Sequence, residues 1–209
     1  MTVLNKLATA LNRRDEVPNQ ELAKEILRTR DERAVKELVE NLKNKDKRIR
    51  SDCIKVVYEI GESEPALIAP YYRQIAELLD SKDNRLVWGA MTALDSIAVK
   101  DPKRVYGLLA KLLTVADTGS VITRDHVVGI LAKLGAMKQY ADECVPLLLE
   151  QLMVCPNNQF PMYAEMSLAV VTKKNCEAFQ NVINRRLESL EKESQRKRIA
   201  KVLKRLSKP

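Results

Sequence analysis

Residues Lys45–Gly61 read KDKRIRSDCIKVVYEIG, and residues Lys82–Ala98, 37 positions on, read KDNRLVWGAMTALDSIA. Lys, Asp and Arg recur at 45/82, 46/83 and 48/85, and Ile49, Cys53, Val57 and Ile60 fall on Leu86, Ala90, Leu94 and Ile97. The same step leads to Thr123, Val127, Leu131 and Leu134, then to Phe160, Ala164, Leu168 and Val171. Spacings of 4, 4 and 3 place such residues on one face of a helix. A helical face repeated at a fixed step is the signature of a stacked repeat protein.

The segments between these stretches repeat as well. Val35, Leu38 and Leu42 map onto Tyr72, Ile75 and Leu79, then onto Leu109, Leu112 and Ala116, then onto Pro146, Leu149 and Met153. Glu64-Pro65 and Asp101-Pro102 read as helix starts, with an acidic N-cap and proline at the first helical position. Gly61 and Gly135 fall where second helices are expected to end. The pattern predicts six antiparallel helix pairs, over 2–13 with 18–29, 31–44 with 46–61, and 64–80 with 83–99. The remaining pairs are 101–117 with 121–136, 139–154 with 160–174, and 176–193 with 195–207. One pair cannot bury its apolar face alone, so the pairs must stack on a continuous core. The chain is therefore read as a single all-α domain over 1–209. Residues 1–30 form an N-terminal cap pair, 31–174 the four clearest repeats, and 175–209 a basic C-terminal cap pair. The stretch 154–161, with Pro156, Asn157, Asn158 and Pro161, is the longest break and the expected bend.

Composition excludes several classes. Six Gly, eight Pro and 4% aromatic residues in 209 are too few for a β-sandwich or barrel. No apolar run reaches the ~18 residues of a membrane span, and the opening MTVLNKLATALNRRDEVP does not read as a secretory leader. Cys53, Cys144, Cys155 and Cys176 form no C-x-x-C pair and His126 is the sole histidine, so no structural metal site is expected. Each cysteine reads as a small buried hydrophobe, which points to a reducing, cytoplasmic setting. The phosphate-binding loop, the dinucleotide fingerprint, the nucleophile elbow and the HExxH helix are all missing, and no enzyme, cofactor or metal is expected.

The net charge of +8 is unevenly placed. The last 25 residues hold ten Lys/Arg, Lys208 among them, and three Glu, which leaves +1 for everything before Arg185. A uniformly basic nucleic-acid binder would not be distributed in this way.

The second member of each pair resembles the second helix of HEAT repeats, where an entry Asp precedes an apolar–Arg pair and then a small residue. Asp46 is followed by Ile49-Arg50 and Cys53, and Asp83 by Leu86-Val87 and Ala90. The third copy has Thr123-Arg124 and Val127 without the Asp, and the fourth, Phe160-Pro161 and Ala164, departs most. The resemblance covers residues 31–174 and implies a HEAT/armadillo-type solenoid, a right-handed α–α superhelix. It also implies that Asp46, Arg50, Asp83 and Arg124 make stacking contacts between repeats, and that the second helices line the concave side.

Given that orientation, the core register leaves four columns facing the groove. They are Asp52, Gly89, His126 and Tyr163; Ser51, Trp88, Asp125 and Met162; Lys55, Thr92, Gly129 and Met166; and Glu59, Ser96, Lys133 and Val170. The columns are mixed in charge, and aromatic and Met side chains on such a face suit a protein or peptide partner. The expected partner-binding set is Trp88, Thr92, His126, Lys133, Met162, Tyr163 and Met166. Trp88 could equally tuck against a neighbouring repeat, and Met162 and Met166 could be core if the fourth copy slips. His126 and Asp125 are adjacent on a helix and do not face each other, so they make a poor acid–base pair. Arg196, Lys197, Arg198, Lys201 and Arg205 either cap the solenoid in solvent or contact phosphate or an acidic partner, with Ile199, Val202, Leu203 and Leu206 as their buried stripe.

The expected function is a non-enzymatic scaffold or adaptor for a protein partner, with no membrane association and with oligomeric state left open. The alternative is nucleic-acid binding through the basic C-terminal helix with Arg48, Arg50, Arg85 and Arg124. A DNA glycosylase of HEAT-like fold would imply a basic groove with several aromatics, which one Trp and a near-neutral body do not supply.

Overall fold

The computed structural model describes residues 2–207, and Lys208 of the basic tail lies outside the described residues. The described residues contain no strand. The chain divides into two compact units, one up to Thr123 and one from Arg124 onward.

In the first unit, α1 (Val17–Thr29) precedes α2 (Glu32–Glu40) and α3 (Lys47–Ser63). Next come α4 (Pro65–Ile68) and α5 (Tyr72–Glu77), then α6 (Asn84–Lys100), α7 (Pro102–Tyr106) and α8 (Leu109–Thr118). α3 packs between α1 and α6, and these second helices form one layer over the first helices α2, α4 and α5. The helix starts follow from acidic side chains. Asp31, Asp46, Asp83 and Asp101 each accept hydrogen bonds from backbone N–H groups in the first turn of the helix that follows. Glu64 does not cap in this way; its carboxylate meets Arg30 at 3.2 Å.

The 37-residue register holds through this unit. Val35, Leu38, Cys53, Val57, Ile60, Ile75, Ala90, Leu94 and Ile97 are all fully enclosed. Four expectations change, one being that the helix expected over 101–117 is interrupted at Gly107 and Leu108 between α7 and α8. The helix expected over 2–13 is only a 3₁₀ turn, Val3–Lys6. Its remainder is non-helical and held by side chains, because the Ala8 N–H donates to Asn19 Oδ1 at 3.0 Å and the Thr9 N–H to Asp52 Oδ2 at 2.8 Å. The helix expected over 64–80 is broken into α4 and α5 around Pro70, which has no N–H to continue the ladder. Gly61 lies inside α3 rather than ending it. A Cβ there would overlap Ile68 Cδ1, so the residue permits close approach of the next helix.

The second unit begins within α9 (Val121–Gly135) and continues through α10 (Lys138–Val154), α11 (Phe160–Ser167), α12 (Cys176–Leu187) and α13 (Glu193–Leu206). Here the register slips. Pro146 is exposed and Leu149 and Met153 are half-buried, while Val145, Leu148 and Leu152 face the core. From Leu112 to Leu148 the step is 36, one residue short of the repeat. α11 keeps Phe160 and Ala164 inside, then tightens into a 3₁₀ turn over Leu168–Val170. Three residues per turn bring Ser167 and Val170 into the core in place of Leu168 and Val171.

Candidate functional site

The starts of α3 and α6 lie side by side in the first unit, where Gly89 of α6 meets Ile54 of α3 so closely that a Cβ would overlap it. That contact buries Gly89, which therefore leaves the surface column in which its spacing placed it. Beside it opens a cleft of about 530 Å³. Lys47, Arg48 and Ser51 line it from α3, Asn84, Arg85 and Trp88 from α6, and Thr9, Arg13 and Arg14 from the N-terminal segment. Trp88, the only tryptophan, is half-buried there.

The carboxylates of this cleft are already engaged. Asp52 accepts from the Thr9 N–H and from Asn19 Nδ2, both at 2.8 Å, and Asp83 accepts from the Arg85 N–H at 3.0 Å. Arg13 is held by Asp15 through two bonds of 2.9 Å, and Arg48 by Asp46 at 3.0 Å. Hydrogen bonding from Arg48 holds the Asp46 carboxyl below its usual range. Arg14, Lys47 and Arg85 are exposed and make no ion pair among the described residues. Five cations thus converge on one tryptophan-lined hollow against two carboxylates, which accept hydrogen bonds from backbone and amide N–H groups.

Sequence reasoning missed this concentration. The periodicity places Arg13 at the end of a helix over 2–13 that does not form and leaves Arg14 just beyond it, and the near-neutral total for the body conceals a local excess. A usable signal is present in the recurrence of arginine at 48/85, since a shared register on adjacent helices brings both to the same hollow.

The other expected site residues separate. Thr92 lies one turn beyond Trp88 and donates its hydroxyl to the Trp88 carbonyl at 2.9 Å. His126 and Lys133 are half-buried on α9, and Met162 and Met166 half-buried on α11. Tyr163 is fully enclosed, so it offers no partner surface; its hydroxyl donates to Asp125 Oδ1 at 2.7 Å. Burial, then the Asp125 carboxylate, push the Tyr163 phenol above its ordinary range. Val170 is likewise core.

Of the expected stacking residues, Asp46, Arg50 and Asp83 bond within their own helix starts. Asp46 is engaged by Arg48, and Arg50 donates to the carbonyls of Asn44 at 2.7 Å and Lys45 at 3.2 Å, within its own turn. Successive pairs are instead tied by Arg30–Glu64, Lys43–Glu77 at 2.6 Å and Lys111–Asp80 at 2.6 Å. On α13, Arg196 donates to the Leu190 carbonyl at 2.7 Å, Lys197 lies 3.9 Å from Glu193, and Arg198 grips Glu165 at 2.8 and 2.6 Å. The bonds from Arg198 hold Glu165 below the usual carboxylate range, aided by Lys201 and Arg205. Ile199, Val202 and Leu206 are buried as their stripe predicts, while Leu203 is half-buried.

No grouping of His, Cys, Asp or Glu among the described residues could hold a metal ion, and no described helix is long and apolar enough to cross a membrane. All four cysteines are free and buried, with burial pushing the Cys53 thiol up to about 12 and Cys144 to about 11.

No family model matches the chain, and a comparison with curated proteins found no match. Solved structures do match. A designed armadillo repeat protein in complex with the peptide (KR)4 superposes with TM-score 0.68 at 15% identity, covering 97% of this chain and 99% of that one. The chain has the armadillo/HEAT-type α-solenoid fold. A second designed armadillo repeat protein aligns with TM-score 0.66 at 15% identity over 97% and 99% of the two chains. An engineered protein aligns with TM-score 0.66 at 19% identity over the whole of both.

Proposed function

We propose that this solenoid is a non-enzymatic scaffold that binds a protein or peptide partner on the face formed by its second helices, in a reducing, cytoplasmic setting. The observation that carries the reading is the cleft at the starts of α3 and α6, where a half-buried tryptophan is framed by uncompensated cations. Partly buried aromatic and Arg side chains in a concavity are the usual anchors of protein interfaces. The armadillo fold, with one solved example holding a peptide, is consistent with this use. That peptide is (KR)4, whereas the cleft here is itself basic, so the partner differs in polarity.

Affinity capture from native lysate, with and without nuclease, tests the reading. Trp88→Ala should weaken partner capture by about 2 kcal/mol or more, as loss of a buried aromatic anchor does. Joint neutralisation of Arg196, Lys197 and Arg198 should change it little, because those side chains are occupied within the second unit. Nucleic-acid binding is the second reading, favoured by the convergence of Arg13, Arg14, Lys47, Arg48 and Arg85. It requires capture to vanish with nuclease and log affinity to fall steeply with log salt.

A further inference from the structure

We infer that the Trp88 cleft takes an acidic peptide segment, a short run of Asp or Glu carboxylates carrying an apolar side chain; this rests on the scaffold reading above. Arg14, Lys47 and Arg85 reach the hollow from three separate segments, and its lining sets five cations against the two carboxylates Asp52 and Asp83. An incoming carboxylate would therefore meet guanidinium and ammonium groups that have no ion-pair partner among the described residues. Arg pairs with carboxylates bidentately, which gives such a contact both strength and direction. Trp88 offers an apolar wall in the same space, so an apolar side chain between the carboxylates has a surface to cover.

Charge geometry selects protein over nucleic acid. A duplex carries a charge about every 1.7 Å and needs a continuous basic track. Here no open cation follows the cleft along the groove face of α3 or α6 at the next turn. One turn along α3 from Ser51, Lys55 is neutralised by Glu16 at 2.9 Å and Glu59 at 2.6 Å. Burial opposes the charge on Lys55, but its bonds to Glu59, Tyr58 and Glu16 prevail and raise its pKa. Along α6 the residues following Trp88 at one and two turns are Thr92 and Ser96, whose hydroxyls bond to the helix's own carbonyls. A volume of about 530 Å³ receives a few side chains, within the usual ~300–1,000 Å³ of a ligand cleft.

The single tryptophan makes the test direct, because its emission, excited at the red edge where the six tyrosines do not absorb, reports on this cleft. The chain is titrated with a Glu/Asp-rich peptide bearing one Leu, with its Gln/Asn counterpart, and with a single-stranded oligonucleotide of equal net charge. The expected result is a saturable emission change with the acidic peptide, at least about tenfold weaker for the Gln/Asn peptide and for the Lys47→Glu/Arg85→Glu double variant, as loss of charged contacts dictates. Both positions are exposed, and circular dichroism of the variant should match the parent. If the Gln/Asn peptide binds equally well, the acidic assignment is overturned while the scaffold reading stands on Trp88→Ala. If the oligonucleotide saturates at lower concentration than the acidic peptide, the partner is nucleic acid and both readings fall. No emission change with any probe overturns the cleft as a binding site.

Discussion

The first unit repeats its register faithfully, and the second departs from it, and they use polar side chains in opposite ways. In α2, α3, α6 and α7 the capping Asp residues satisfy each helix start from within. Apolar teeth then carry the packing, and the cations at α3 and α6 are left pointing outward around Trp88. In the second unit the apolar steps no longer match, and polar groups close the gaps. Arg186 is the clearest case. Its guanidinium donates to the carbonyls of Leu152, Met153 and Cys155 and to Asn157 Oδ1, at 2.6 to 3.0 Å, and lies 4.9 Å from the Phe160 ring. The expected bend at 154–161 is thus tied down by half-buried Arg186, with Ser189 and Gln195 bonding Asn157 beside it. In the first unit the cations around Trp88 remain open to a partner, whereas in the second the Arg186 guanidinium is taken up by the chain's own carbonyls.

That contrast can be broken most severely in the regular half. Leu94 is fully enclosed at the register shared with Val57, and truncation to Ala should cost about 2–5 kcal/mol. Hydrogen exchange should show the loss concentrated in α3, α6 and their neighbours, because each repeat is supported only by those beside it. Uniform loss across the chain would contradict nearest-neighbour support. Arg186→Ala should cost about 2–3 kcal/mol, the usual worth of hydrogen bonds from a charged donor to acceptors left without partners. Thermal melts measure it, and a change near zero would show that the 154–161 turn holds itself.

The smallest effect concerns Tyr163. Its replacement by Phe should cost about 1 kcal/mol at neutral pH, the net value of one hydrogen bond. The sign at alkaline pH is distinctive. The folded state raises the Tyr163 phenol, so its stabilising neutral form is fully present below the unfolded value of about 10 and is lost as pH rises toward the folded value. Tyr163→Phe should therefore fall less steeply above pH ~10 than the parent in urea titrations, since it has no phenol to ionise. Identical alkaline slopes would mean that Tyr163 ionises as readily in the folded chain as in the unfolded one.

Most of the fold was legible because helical periodicity and capping act over a few residues. Val57, Leu94 and Leu131 are buried where the 37-residue step places them, and Asp46 and Asp83 cap where they were read. The site was legible only in part. Trp88 lines the cleft and Thr92 adjoins it, but Arg13 and Arg14 entered only because the segment after Lys6 folds back without a helix, pinned by Asn19 and Asp52. Tyr163 was misplaced because a polar hydroxyl at a surface column can be drawn inward by one carboxylate, here Asp125.

The sequence by itself determined that the chain is a stack of helix pairs, since spacing, caps and the absence of alternating strands are local properties that survive without knowledge of neighbours. Which side chains remain available was decided by tertiary structure. Whether a lysine or arginine is free depends on the carboxylate that packing brings beside it: Lys55 is neutralised by a residue 39 positions earlier, Arg198 by one 33 positions earlier, while Arg14, Lys47 and Arg85 meet none. Electrostatic pairing falls off over a few ångströms in space and is indifferent to separation along the chain, so no one-dimensional reading assigns it.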